Sequence, residues 1–449
     1  MVYIGPKQIA PMLKSIKKYS LLLLFHPGIG TAQTRVKPDS TLKSIRFDTL
    51  RLTITDAEQM FIKNNLMLLA QKYGVDATQA LIIQAKLYYN PQFSWGNNVY
   101  NTDTHTLFPL SFTWPKSDNN FNLSQEIVLA RKIKKQVGIA ETTYVLAEDN
   151  LKDLLRTLKY TLRSSFYNIY YLQQIAKVYN EEISALQTVV DAYKQVEGEN
   201  IVSEVEIVQV QAQLYSLKSE YQGWVDNIND LESQTRLLLQ TPPTVYLLPV
   251  VDPDIVKADP LTYDLSTLLD SAYANRTDYM IARDNLLLSK QNYSLQKALA
   301  IPDITVGLSS DESSQYVAND LSYSIGFAIP IFNRNQGNIK NANLMIKSND
   351  AQLGYTQKSV DEQVFRGLEK AIDADKLYKG IDTTFATKFD TLAAAMLKSY
   401  MNRTVNLLTF QAFYDSYKDN IEQLNTILYN KVNCLESLNL LTGSNFYNK

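Results

Sequence analysis

The chain has 449 residues, a net charge of −2 and 45% hydrophobic content, enough for a large core without disulfides. The near-neutral balance offers no basic surface of the kind nucleic acid needs, so no nucleic-acid partner is expected. A single cysteine, Cys434, excludes an internal disulfide, and two histidines, His26 and His105, exclude a histidine-rich metal centre. The 29 tyrosines, set against 15 glycines and 14 prolines, suit long helices that meet a membrane interface.

Residues 1–32 have the plan of a signal peptide. Lys14, Lys17 and Lys18 form a basic segment, Leu21–Phe25 an apolar one, and Thr31-Ala32-Gln33 a small-residue cleavage point. Residues 33–50 read as an N-terminal extension. No other stretch approaches the ~20 apolar residues of a membrane-spanning helix. A chain of this kind crosses a membrane only as a β-barrel.

Residues 51–240 read as a first structural repeat. A helical region over 55–89 leads to Asn90-Pro91, and two strands follow at about 91–100 and 119–127. In the first, Phe93, Trp95 and Val99 alternate with Ser94, Gly96 and Asn98. In the second, Phe121, Leu123 and Ile127 alternate with Asn120, Asn122 and Ser124. No proline occurs between Pro115 and Pro242, which permits very long helices. Leu151, Leu155, Leu158, Leu162, Ser165, Ile169, Leu172, Ala176, Tyr179, Ile183, Leu186, Val190 and Tyr193 step by alternating fours and threes. A second stripe runs Ile207, Val210, Leu214, Leu217, Tyr221, Trp224, Ile228, Leu231, Thr235, Leu238. Both keep the 3.5-residue repeat of a supercoiled helix pair. A helix over 127–195 would reach roughly 100 Å, with a turn at 196–204 joining it to its partner.

Residues 241–263 carry five prolines and read as an outside-packed linker. Residues 264–443 then repeat the plan about 205 to 211 positions later. They give a helical region over 264–300, strands at about 302–311 and 320–330, and a helical pair over 336–400 and 406–441. Residues 444–449 form a tail. The strands are apolar on one face and small or polar on the other, the pattern of a transmembrane barrel. Four strands cannot close a barrel alone, so several protomers must share one. Loops 101–118 and 311–319 then become extracellular caps.

Pro302-Asp303-Ile304-Thr305-Val306-Gly307-Leu308 and the run from Tyr323 through Ile329-Pro330-Ile331-Phe332-Asn333-Arg334-Asn335-Gln336-Gly337-Asn338-Ile339 resemble the TolC outer-membrane factor family. Asp56-Ala57-Glu58, Asn64-Asn65, Leu123-Ser124-Gln125 and Gln211-Ala212-Gln213-Leu214 support the resemblance, which covers about 50–443. Residues 333–340 and 154–160 are most similar to channels of the cobalt–zinc–cadmium resistance type. The resemblance implies a homotrimer, mainly α with a β-barrel contribution. Each protomer would give four strands to a barrel in outer-membrane lipid, and its coiled helices to a periplasmic α-barrel. It further implies a periplasmic adaptor protein and an inner-membrane pump of the RND type as partners. The channel itself would be passive, with no cofactor and no resident metal.

By the same resemblance the hairpin tips bind the adaptor: Gly198, Asn200, Ile201, Val202 and Ser203 at the first, Arg403, Thr404, Val405 and Asn406 at the second. Asn200 and Arg403 stand where the family usually has glycine. The family's acidic constriction maps to Thr409 and Ala412, so closure on Leu407, Leu408 or Phe410 is the expectation. The alternative is that these are helix-core residues. Trp95, Tyr323, Phe327 and Trp114 are candidate interface anchors. No P-loop, G-x-S-x-G or H-E-x-x-H motif is present, so no enzymatic role is expected. Drug efflux or type I protein secretion would use the same fold, and a soluble coiled-coil adaptor or scaffold is the alternative of another class.

Overall fold

A computed structural model of the chain describes residues 48–101, 105–108, 119–195, 203–311, 320–381 and 383–447. The expected signal peptide, Trp114 and the first-tip residues Gly198, Asn200, Ile201 and Val202 lie outside them.

The chain opens with β1 (Asp48–Thr53), α1 (Ile54–Asn64) and α2 (Leu66–Ala85). Thr53 and Asp56 form a reciprocal capping box at the start of α1. Asn65 starts α2, accepting from the backbone of Met67 and Leu68 while donating to the Leu238 carbonyl. The Asp56-Ala57-Glu58 motif is therefore structural. Asp56 caps, Ala57 is fully buried, and Glu58 pairs with Arg163 and, at 3.2 Å, with Lys159. Next come β2 (Gln92–Asn97), a minor hairpin of β3 (Tyr100–Asn101) and β4 (Thr106–Leu107), and β5 (Asn119–Ile127). The first strand is shorter than expected and leaves Val99 outside it.

Helix α3 (Lys132–Gln195) has 64 residues, a length of ~96 Å at 1.5 Å per residue. It packs along α4 (Glu204–Leu239). The expected stripes are the contact face: Leu162, Ile169, Tyr179, Leu186, Val210 and Leu214 are all buried.

The proline-bearing connection is more than a linker. Its β6 (Val245–Val250) pairs in parallel with β1, bringing Leu247 and Leu52 onto the core around Phe166 and Leu239. Pro249 fits because a two-stranded sheet has only edges. The repeat then recurs as α5 (Leu265–Asn275), α6 (Thr277–Leu299), β7 (Ile304–Asp311), β8 (Asp320–Phe327), α7 (Gln336–Lys379), α8 (Thr383–Met401) and α9 (Leu407–Thr442). Helices α1 and α5 have 11 residues each, and α4 and α9 have 36 each, the signature of a duplicated unit. The expected continuous helix over 336–400 instead divides after Lys379. The Gly380 N–H is shared between the Lys376 and Leu377 carbonyls, a tightening that ends a helix.

Strands β2, β5, β7 and β8 form one antiparallel sheet in that order. Asp303 ties the sheet to the helices. It accepts from the Leu129 N–H at 2.7 Å and from Lys132 Nζ at 2.6 Å, and Lys132 also donates to the Ile301 carbonyl. The chain bends there through two consecutive left-handed residues, Ala130 and Arg131. Because Lys132 is 4% exposed, Asp303→Ala would strand a buried ammonium and should cost about 3–5 kcal/mol. Chemical denaturation in detergent reads this, and a loss within about 0.5 kcal/mol would mean that the pair does not hold the junction.

Candidate membrane sheet and hairpin tips

The register of the sheet sorts most apolar side chains onto one face. Phe93, Leu123, Leu308 and Tyr323 form one row across the four strands, and Trp95, Phe121, Ser310 and Leu321 the next. Gln125, Val306 and Ile325 form a third row, and Ile127, Ile304 and Phe327 a fourth. The opposite face carries Ser94, Gly96, Asn122, Ser124, Thr305, Gly307, Ser322, Ser324 and Gly326. Gly307 admits no larger side chain unless Ser324 moves, since a Cβ there would lie 2.5 Å from Ser324 Oγ.

Rows repeat every ~6.7 Å along a strand, so four rows make an apolar band ~20 Å long. This face is open to solvent in the single chain: Phe93, Trp95, Leu123, Leu308, Ile325 and Phe327 are all exposed, and Tyr323 is 84% exposed. Two of the three described anchor candidates sit toward opposite ends of the band, Trp95 toward the loops and Phe327 toward the helices. Tyr323 lies between them. The Trp95 indole N–H donates to Asn119 Oδ1 at 3.1 Å. A second exposed group lies where sheet meets helices: Tyr88, Tyr89, Ile329, Ile331 and Phe332 are all exposed, Phe332 by 91%. Ile329 and Ile331 prolong the alternation of β8, whereas Tyr88, Tyr89 and Phe332 carry no periodic signal.

At the other end of the long helices, the second tip is well defined. The Arg403 N–H donates to the Tyr400 carbonyl and the Thr404 N–H to the Ser399 carbonyl, with Arg403 at φ 60°. This is a Schellman turn with arginine in the left-handed position that glycine favours. The expected departure from glycine therefore leaves the turn intact, at a backbone cost of ~1–2 kcal/mol. Thr404 is exposed and Val405 half-buried. Asn406 caps α9 through the Thr409 N–H at 2.9 Å. At the first tip, Ser203 is exposed and precedes α4 without a side-chain cap. Nearby Val205 and Val208 are exposed apolar residues that the sequence reading passed over.

The five gate candidates separate clearly. Phe410 is 1% exposed and stacks on Tyr400 at 4.3 Å. It is a core residue between the hairpins, not a free gate. Leu407 is half-buried against the same cluster, whereas Leu408, Thr409 and Ala412 are exposed, Leu408 by 76%. Around Phe410 the hairpins are clasped by hydroxyls. Tyr193 and Tyr400 each donate to Glu206 Oε1 at 2.9 Å and lie 2.7 Å from each other. Burial raises the affinity of both phenols for their protons, so they remain donors.

Among the described residues no helix is long and apolar enough to cross a membrane, and no group of three or more His, Cys, Asp or Glu could hold a metal ion. No family model matches the sequence, and comparison with curated proteins finds no match. Solved structures do match. The chain is similar to the Campylobacter jejuni CmeC outer membrane channel, with TM-score 0.69 and 14% identity over 88% of this chain and 86% of that one. It is similar to the Vibrio cholerae outer membrane protein VceC, with TM-score 0.66 and 12% identity over 88% and 96% of the two chains. It also matches the open state of the Neisseria gonorrhoeae MtrE outer membrane channel, with TM-score 0.65 and 15% identity over 87% and 89%. The chain has the TolC-like protomer fold.

The burial pattern makes an expectation that equilibrium unfolding checks. Phe410→Ala should cost about 3–5 kcal/mol through the cavity it opens, and Leu408→Ala should stay within about 0.5 kcal/mol. Equal losses would contradict the assignment of Phe410 to the core and Leu408 to the surface.

Proposed function

We propose that this TolC-like chain is one of three identical protomers of an outer-membrane efflux channel, conducting cargo passively from the periplasm to the exterior. The observation that carries the reading is the sheet: a mostly apolar exposed face, a small and polar reverse face and, among the described residues, two edges without a strand partner, β2 and β8. Neighbours in the sheet are all antiparallel, so β2 and β8 run in opposite directions. The β8 edge of one copy can therefore pair antiparallel with β2 of the next. Repeating that contact closes a ring. Two copies would give a barrel of about eight strands, filled by its own side chains. Three is the smallest number that leaves a lumen, here lined by Ser94, Gly96, Ser124, Gly307 and Ser324.

The long helices prolong the tube into the periplasm. Their tips, with Ser203, Arg403, Thr404 and Asn406, are the surface for a periplasmic adaptor, which joins the channel to an inner-membrane pump of the RND type. Energy comes from that pump. Leu408 is the best gate residue of the five candidates, because an exposed leucine at a constriction closes a pore by dewetting. Leu408→Ser should raise the resting conductance of the channel in planar bilayers, and unchanged conductance would remove Leu408 from the gate. Tyr88, Tyr89, Phe332 and Phe327 suit the inner lipid interface and Trp95 the outer one.

Heavy-metal cations are the proposed cargo. The support is the likeness of residues 333–340 and 154–160 to metal-type channels. Hypersensitivity of a deletion strain to zinc, copper or cobalt tests this, and hypersensitivity to organic drugs alone would shift the cargo to drug efflux. For the channel itself, Ile325→Arg puts a charge on the lipid face at a cost of about 2–4 kcal/mol. It should abolish the heat-modifiable trimer in outer-membrane extracts, whereas Ser324→Arg, on the lumen face, should leave assembly intact and alter conductance. Equal effects of the two would contradict the assignment of the faces.

A further inference from the structure

Glu182 is a carboxyl with no evident structural task. It lies on α3 at 4% exposure, and its buried Oε1 has no hydrogen-bond partner. It lines a cavity of about 550 Å³ between α3, α8 and α9. A buried carboxyl without a partner is costly, and a side chain kept in that state at a cavity wall calls for a ligand.

Among the described residues the surrounding charges do not supply one. On α3, Lys177 and Glu181 face each other at 3.8 Å and both are well exposed. On α9, Lys418 is bound to Glu220 of α4 at 2.8 Å. Asp415 accepts from Gln213, and Glu422 accepts from the Tyr179 hydroxyl, which Glu220 shares. Helix α8 presents Ala393, Ala394 and Leu397 to the cavity, none of them charged. Burial pushes the Glu182 carboxyl up to about 8. Lys418 opposes the rise, and Asp415, Glu220 and Glu422 add to it.

The walls define what would fit. Ala185, Ala393 and Ala394 leave room, Val178 and Ile421 are apolar, and Tyr414 and Tyr417 bring aromatic rings. The volume falls in the range of small-molecule sites, about 300–1,000 Å³. A hard metal ion needs several oxygen ligands, and no such group exists among the described residues. Lys177 and Glu181 also line the cavity, paired with each other at 3.8 Å, beside Gln174 and Asn425; with that ammonium already matched, the buried carboxyl, two tyrosines and aliphatic side chains suit a cation with an apolar body. We propose that this cavity binds a monovalent organic cation of the alkyl- or arylammonium class, with Glu182 as its counter-charge and Tyr414 and Tyr417 as its aromatic wall. Burial thus favours the protonated form of the Glu182 carboxyl near pH 7. Binding therefore exchanges one cation for one proton: the ammonium enters, the carboxyl ionises, and the proton leaves to buffer. The site is independent of the channel reading.

Isothermal titration of the full-length, detergent-solubilised protein with hexylammonium chloride tests it, run at pH 7 in two buffers of different ionisation enthalpy, with hexanol as the neutral control. The expected result is saturable binding of hexylammonium with close to one proton released per ligand, and no saturable binding of hexanol. Glu182→Gln should weaken binding at least tenfold and abolish the proton release. Ala393→Leu, which fills the cavity and leaves Glu182 in place, should weaken binding as well. Equal heats for hexylammonium and hexanol, unchanged binding in Glu182→Gln, or no saturable binding up to tens of millimolar would each overturn the proposal.

Discussion

Four strands with two open edges cannot stand alone in lipid. Each unpaired N–H or carbonyl in a hydrocarbon environment costs several kcal/mol, and among the described residues no strand pairs with the outer side of β2 or β8 in the four-stranded sheet. The apolar face adds a second demand, because Phe93, Tyr323, Ile325 and Phe327 are all exposed. Closure among copies meets the first demand and a bilayer the second. The small and polar residues of the reverse face then acquire a reason, since that face lines water and not lipid.

The helical part answers a different constraint. A helix ~96 Å long has no room in a compact domain, and it is held by stripes of buried residues along its length. Two clusters carry that packing, one toward the tips and one around β1 and β6, while a third joins α5, α7 and α9. The tip cluster is aromatic: Tyr400 stacks on Phe410, which meets Tyr414 at a tilt, and Tyr414 meets Tyr417 edge-on. Rings of this kind bury large areas with few rotatable bonds, so the two hairpins are joined near their ends without a disulfide. The hydroxyls of Tyr193 and Tyr400 on Glu206 add direction to that contact.

Periodicity was the most legible part of the sequence. The heptad stripes of α3 and α4 and the alternation of the four strands follow from local spacing of apolar residues, and the structure has them. What spacing could not convey depends on distant partners. Strand β1 is legible only beside β6, which lies nearly 200 residues away and includes Pro249, a residue that argues against a strand until the sheet is known to have two strands. The division at Gly380 reflects one shared N–H within an otherwise regular pattern. Phe410 and Leu408 are two positions apart in an apolar segment, and only the placement of Tyr400 decides that one is buried and the other free. Glu182 looks like any helix-surface acid until α8 and α9 close around it. The resemblance of the second tip was blurred by Arg403, yet the backbone there adopts the left-handed turn that glycine would have taken.

The account rests on edge strands of one copy being paired by the next, and backbone amide hydrogen exchange of the detergent-solubilised assembly addresses this directly. If copies share one barrel, the amides of β2 and β8 should be protected to the same degree as those of the interior strands β5 and β7. Outward-facing amides of β2 and β8 that exchange as fast as those of an exposed loop, while β5 and β7 stay protected, would contradict it.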